Sequence, residues 1–285
     1  VAGTVPAGGG APAPVCLAAV GLGTTDQVGA LHRAQAYLAR EVVRRRAPSE
    51  IDLPSVRATD GTTFLFCGDG EDGSPTWLDD FVAQPSAGHP GHGLTRIDHV
   101  AVSLPFDQFD AAVLFARSVL GMVPGESTEL AAPYGLVREH ALETGDGTVR
   151  LMVGTTQPGT TACAGHVALG CEDIVTTAEA LRAAGAPILP VPANYYDDLD
   201  ARYAIDPGDL ARMRRLDVLY DRTADGEFLH LCTGTLGGGL FLEVVQRVGG
   251  YAGYGSANTP VRLAAQTQAE ARRARPSRRR DQPAP

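Results

Sequence analysis

Residues 163–185 read CAGHVALGCEDIVTTAEALRAAG, a run of small and β-branched residues that becomes a helical pattern at Asp173. Apolar positions after Asp173 recur at i, i+3, i+4 and i+7, the spacing of an amphipathic helix. Asp173 has the chemistry of an N-cap and Gly185 that of a C-terminal stop. The same order occurs twice more. VCLAAVGLG (15–23) leads into TDQVGALHRAQAYLAR, and RIDHVAVS (96–103) leads into FDQFDAAVLFARSVLG. Further strand candidates follow each helix: LPSVRA and TTFLFC in the first unit, GLVREHAL and TVRLMVG in the second, APILPVP, EFLHLC and LFLEVVQ in the third. The third unit also carries an insertion, NYYDDLDARYAIDPGDLARMRRL, with a helical pattern. QPSAGHPGHG (84–93) reads as a linker after the first unit. The chain is therefore an internal repeat of strand, helix and several strands.

Composition narrows the function. The 285 residues are 44% hydrophobic and 20% charged, a globular profile, and no apolar run approaches the roughly 20 residues of a membrane span. The net charge of −9 argues against nucleic acid as a partner, and the basic RRARPSRRR near the C-terminus reads as a solvated end. Five cysteines without a CxxC pair fit a cytoplasmic location and a fold without disulfide staples. The first residues do not read as a signal peptide, and a chain that begins on Val1 suggests a fragment. All 24 basic residues are arginine, which removes a P-loop and any lysine-based catalysis.

GLFLEVVQRVGG (239–250) places one carboxylate, Glu243, inside an apolar strand, where an unpaired charge would cost several kcal/mol. Aligning AVGLG with HVALG sets Ala19 against His166, and His99 in IDHVAV takes the same place in the second unit. At the unit ends Glu243 corresponds to Phe66 and to about Met152. Two histidines and one carboxylate with open coordination positions suit non-haem Fe(II). Arg247 is the competing partner for Glu243, and His32, His89, His92 and His140 read as ordinary core or surface histidines.

IDHVAVSLP, GHVALGCEDI, LPVPANYYDDL, YDRTADGEFLHL and FLEVVQRVGGYAGYG resemble the 4-hydroxyphenylpyruvate dioxygenase family of the vicinal oxygen chelate superfamily. The resemblance is drawn in particular to the dioxygenase-like half of bacterial fusions with a dehydroshikimate-dehydratase barrel. It implies an α+β fold of tandem βαβββ modules whose curved mixed sheets enclose a metal. The expected organisation is a partial N-terminal domain without ligands (1–90), a metal-binding domain of two modules (94–255) and a disordered Arg-rich tail (256–285). It also implies Fe(II) held by His99, His166 and Glu243, with an aromatic α-keto acid and O2 as reactants and a ring-hydroxylated product of tyrosine catabolism. Several family positions differ: Gly165 stands for Gln, Glu139 for Ser, Gly154 for Asn, His230 for Gln and Cys232 for Phe. GSANTPVRLAAQ replaces an aromatic gate helix. Glu139, Gly154, His230 and Cys232 are thus candidate substrate-pocket residues.

The leading expectation is an Fe(II) dioxygenase for such a keto acid. The alternatives are the C-terminal region of a 3-dehydroshikimate dehydratase covalently fused to an upstream barrel, and a metal-binding module without dioxygenase turnover. A homo-oligomer is compatible with either. A glyoxalase-type lyase is disfavoured because no fourth ligand is visible.

Overall fold

A computed structural model describes residues 15–70, 76–84, 91–132, 135–156, 165–236 and 239–274. Within the first unit, β1 (Ala19–Thr24), α1 (Gln27–Ala36), β2 (Arg40–Glu41), β3 (Ser55–Arg57) and β4 (Thr63–Gly68) form a sheet of order β1-β4-β3-β2. The second unit comprises β5 (Leu94–Leu104), α2 (Phe106–Ser118), β6 (Val123–Ala132), β7 (Gly135–Glu143) and β8 (Arg150–Thr155). The third comprises β9 (Gly165–Cys171), α3 (Ile174–Ala183), α4 (Asn194–Tyr203), α5 (Pro207–Leu216), β10 (Leu219–Arg222), β11 (Gly226–Cys232) and β12 (Leu240–Gly249). A helix α6 (Thr259–Ala274) follows.

Units two and three share one sheet of order β10-β11-β12-β9-β5-β8-β7-β6. In every unit the first strand pairs parallel with the last: β1 with β4, β5 with β8 and β9 with β12. The remaining pairs run antiparallel, including β5 with β9 at the centre of the large sheet. The result is a mixed α+β fold of tandem βαβββ modules, its large sheet curled into a half-barrel. Phe64 and Phe66 of unit one pack with Phe109, Ala112 and Ala116 of α2 and with β5 and β8 in one core. A second core joins α3, α4 and α5 to β10, β11 and β12 through Ile174, Tyr196, Leu199, Leu216 and Leu231.

Local chemistry follows the sequence in α3. The Asp173 side chain accepts hydrogen bonds from the Val175 and Thr176 amides, and Gly185 beyond the last turn has φ +79°, a conformation that favours glycine. The insertion is helical as α4 and α5.

Four expectations are corrected. APILPVP forms no strand, only an isolated bridge from Ile188 to Thr233, because its prolines remove ladder donors. The unit's second strand is β10 instead. β6 escaped notice since VPGESTELAA is polar and Pro/Gly-bearing, a composition an edge strand tolerates and a central one does not. Residues 259–274, assigned to a disordered tail, are helical, with Ala265 buried beside Leu189, Cys232 and Phe241. Cys16 is disulfide-bonded, so the chain is not free of staples, while Cys67, Cys171 and Cys232 are free thiols. Linker residues 85–90, which include His89, and the Arg-rich residues 275–285 lie outside the described residues. Among the described residues no helix is long and apolar enough to cross a membrane.

Candidate metal centre

Three adjacent strands, β5, β9 and β12, bring the predicted ligands together. Ala168 on the middle strand is level with His99 on one side and Glu243 on the other. His166 lies two residues earlier on that strand and so shares the face of Ala168. A register shift between Ile97 and His99 re-aims the end of β5. The Ala168 methyl fills little space, which lets the two longer side chains meet in front of it.

The three donor atoms converge. His99 Nε2 and His166 Nε2 are 3.0 Å apart, His166 Nε2 and Glu243 Oε2 3.1 Å, and His99 Nε2 and Glu243 Oε2 3.4 Å. Donors that share one ion at about 2.1 Å stand roughly 3.0–3.4 Å from one another, between right-angle and tetrahedral arrangements. The void in front of them measures about 20 Å³, enough for a single ion or water. Glu243 is 4% exposed, and no arginine among the described residues forms an ion pair with it. Two imidazole nitrogens and a carboxylate oxygen, buried and aimed at one point, fit a divalent cation.

The surrounding groups fix each donor. Asp98 accepts the Nδ1–H of His99 at 2.9 Å, which leaves the Nε2 lone pair facing the cavity. Asp98 is itself held by a two-pronged contact from Arg247, with Nη2 to Oδ1 at 2.8 Å and Nε to Oδ2 at 3.0 Å. Arg247 Nη1 also donates to the Gly253 carbonyl at 2.6 Å, pinning the loop that carries Tyr254 against His99. On the opposite side the Tyr220 carbonyl can only accept, so it orients the Asn258 amide with Nδ2 as donor. That same Nδ2 donates to His230 Nε2 at 3.0 Å, and His230 Nδ1–H therefore donates to Glu243 Oε1.

Electrostatics follow from these contacts. Burial alone would raise the carboxyl of Glu243, but the imidazoles of His166, His230 and His99 beside it hold it well below its ordinary range. Burial opposes a proton on His99, yet bonds to Asp98 and Glu243 outweigh it and raise the imidazole. His166 is lowered to about 4, chiefly by burial. Asp98 lies far below the ordinary aspartate range: burial works against this, and His99 and Arg247 prevail. The site thus holds one firmly ionised carboxylate and one firmly neutral imidazole.

The other sequence candidates divide. Glu139 and His230 line the void with His99, His166, Glu243, Met152, Tyr254, Thr259 and Arg262. Gly154, paired with Glu139, lines a neighbouring cavity of about 160 Å³ that shares Glu139 and Arg262 as walls. Cys232 lies within reach of His230 and Glu243, but it packs against Leu189, Phe241 and Ala265, and burial pushes its thiol up. Arg247 pairs with Asp98 rather than Glu243. The pairing of β1 with β4 sets Leu65 opposite Gly21, as β12 sets Glu243 opposite Ala168, so the unit-one equivalent of Glu243 is Leu65, not Phe66. The same comparison confirms Met152 in unit two. Gly165 is required by close packing, because a Cβ there would sit 2.4 Å from the Ala101 carbonyl oxygen. Sequence reasoning missed Asp98, Asn258 and Arg262, and singled out Arg247 with the wrong partner. Asp98 was visible beside His99, whereas Arg262 was hidden by the assignment of its helix to a disordered tail.

Comparison with known proteins adds to this geometry. The profile of the Glyoxalase/Bleomycin resistance protein/Dioxygenase superfamily matches residues 96–209. A 3-dehydroshikimate dehydratase of Pseudomonas putida is 38% identical over 271 residues, covering 91% of this chain and 42% of the relative. A 4-hydroxyphenylpyruvate dioxygenase of Pseudomonas aeruginosa is 28% identical over 224 residues, covering 73% of this chain and 62% of that protein. Among solved structures, a xylose isomerase-like TIM barrel/4-hydroxyphenylpyruvate dioxygenase fusion protein matches with a TM-score of 0.75 at 33% identity, over 89% of this chain and 42% of that one. The chain spans about two fifths of the dehydratase and of the fusion protein, at 42% of each.

Proposed function

The chain belongs to the glyoxalase/bleomycin resistance protein/dioxygenase superfamily, of the 4-hydroxyphenylpyruvate dioxygenase-like kind, and from this premise we propose that it is the metal-binding region of a 3-dehydroshikimate dehydratase fusion, with a divalent cation held by His99, His166 and Glu243. One observation carries the reading: the dehydratase is 38% identical across 91% of this chain, against 28% across 73% for the dioxygenase. Bound there, the cation would supply Lewis acidity and, as iron, redox chemistry with O2. The chain's own residues do the positioning. Asp98 and Arg247 hold His99 in the tautomer that offers Nε2. His230 and Asn258 hold Glu243 by its outer oxygen and leave Oε2 free to bind. Met152 and Tyr254 keep the cavity partly apolar and exclude bulk water.

The reading frame upstream of Val1 tests the fusion. An in-frame barrel sequence is expected, and a stop codon without one removes the proposal. A second reading, an Fe(II) dioxygenase for 4-hydroxyphenylpyruvate, is favoured by Met152 at the fourth ligand level, which leaves positions for a chelating keto acid and O2. Anaerobic loading with Fe(II), followed by O2 uptake with and without 4-hydroxyphenylpyruvate, separates the two. Substrate-dependent uptake supports the dioxygenase. Metal retention without uptake supports the dehydratase-fusion reading.

A further inference from the structure

The larger cavity has a chemistry of its own. Arg262 on α6 and Glu139 on β7 line both this cavity and the void at the three donor atoms, so they stand where the two meet. Both side chains are mostly buried, at 15% and 13% exposure, and their closest charged atoms are 3.9 Å apart, too far for a hydrogen bond. The one hydrogen bond of the guanidinium among the described residues runs from Nη1 to Gln266 Oε1 at 3.1 Å. Its Cζ lies over the Phe241 ring, 5.1 Å from the centroid, and Phe241 stacks on His166 with ring centroids 4.7 Å apart. The cation is therefore held in a fixed relation to a metal-facing imidazole, with donors to spare. A planar guanidinium so placed is suited to take a carboxylate with two parallel hydrogen bonds. Ser103, Thr155, Thr235 and Glu270 contribute to the remaining walls, in which Phe241 is the one aromatic ring and Arg262 the one cation among the described residues. Such walls suit a polar acid better than a phenol.

We propose that Arg262 is the specificity-determining residue of this cavity: it binds a carboxylate at the end of the substrate away from His99, His166 and Glu243. The site then selects a small keto acid with a second anionic group over a phenolic keto acid. This deepens the metal-site reading and rests on it. Neutral donors cannot replace Arg262 in that role, because the net charge of −9 makes the protein as a whole repel an anion. Glu139 occupies the guanidinium only loosely, at a separation that an incoming carboxylate can replace.

The test uses the whole chain loaded with Co(II) and titrated calorimetrically with 2-oxoglutarate and with 4-hydroxyphenylpyruvate. Native protein is expected to bind 2-oxoglutarate at least tenfold more tightly. Arg262→Gln should erase that preference, Arg262→Lys should keep part of it, and Co(II) affinity should stay within about twofold in both. A native preference for 4-hydroxyphenylpyruvate overturns the proposal without recourse to any variant, as does an unchanged preference in Arg262→Gln. Succinate titrated into metal-free protein separates the two levels of the argument. If Co(II) fails to bind but succinate binding is lost in Arg262→Gln, the metal reading falls and the carboxylate site stands. If Co(II) binds and Arg262→Gln changes neither ligand, the carboxylate site falls alone.

Discussion

At the scale of single residues, the buried charge on Asp98 explains why Arg247 matters although it touches no donor atom of the cavity. Asp98 is 3% exposed and is paired with Arg247 through three hydrogen bonds. Without Arg247, Asp98 keeps the His99 hydrogen bond and the Arg96 and Arg150 side chains at 3.8 Å but loses its closest charged partner, at a cost of about 1–3 kcal/mol. Arg247→Met is therefore expected to lower the stability measured by urea unfolding by about that amount. Asp98→Asn in the same chain should recover a large part of the loss, and a loss under about 1 kcal/mol in Arg247→Met alone would contradict the pairing. His230→Leu makes a separate prediction. It removes the donor to Glu243 Oε1, so metal affinity should fall roughly 10–100-fold, while His230→Gln, which keeps a donor, should fall less. The convergence of His99, His166 and Glu243 was legible in sequence because the repeat offers equivalent positions to compare. The pairing of Asp98 with Arg247 was not, because it spans 149 positions and no local pattern announces it.

Among the elements, those with regular chemistry were readable and those at edges were not. The α3 helix announces itself through its cap and its period. Asp173→Ala is expected to cost about 1 kcal/mol. Hydrogen bonds from Thr176 and Val175 hold the Asp173 carboxyl below its ordinary range. A carboxylate lowered by folding stabilises above its unfolded value, near pH 4, and that contribution is lost as the pH falls through the folded value. Unfolding curves of native protein and Asp173→Ala should therefore converge toward low pH, and a constant offset would contradict the cap. The helix α6 was illegible because its polar, Arg-bearing sequence looks like a solvated tail, and only Thr259 and Ala265 of it are fully buried. Ala265→Asp places a carboxylate in the apolar contact with Leu189, Cys232 and Phe241, so hydrogen exchange in α6 should quicken while exchange in β9 and β12 stays slow. Unchanged exchange in α6 would show that the helix is not held by this contact. β6 was missed for a related reason, since at the end of the sheet a strand need be apolar on neither face, and β10 because it is four residues long, although Leu219 and Tyr220 in it are buried.

Across the whole molecule, three units repeat one strand order, and the candidate metal site lies where two of them join antiparallel through β5 and β9. Each of those units gives its first strand a histidine, but only the third gives its last strand a carboxylate. Unit one has Ala19 and Leu65 at those levels and supplies packing against α2 instead. The repeat was visible in the sequence. The pairing of units two and three was expected from the resemblance, whereas the packing of unit one against α2, β5 and β8 was not, since it depends on tertiary contacts. The central claim is that His99, His166 and Glu243 hold one divalent cation, and it is tested most directly by titrating metal-stripped chain with Co(II) under anaerobic conditions. Saturation at one cation per chain is expected in the native protein, with binding abolished in both His166→Ala and Glu243→Ala. No saturable binding, or equal binding by the native chain and these two variants, would contradict the account.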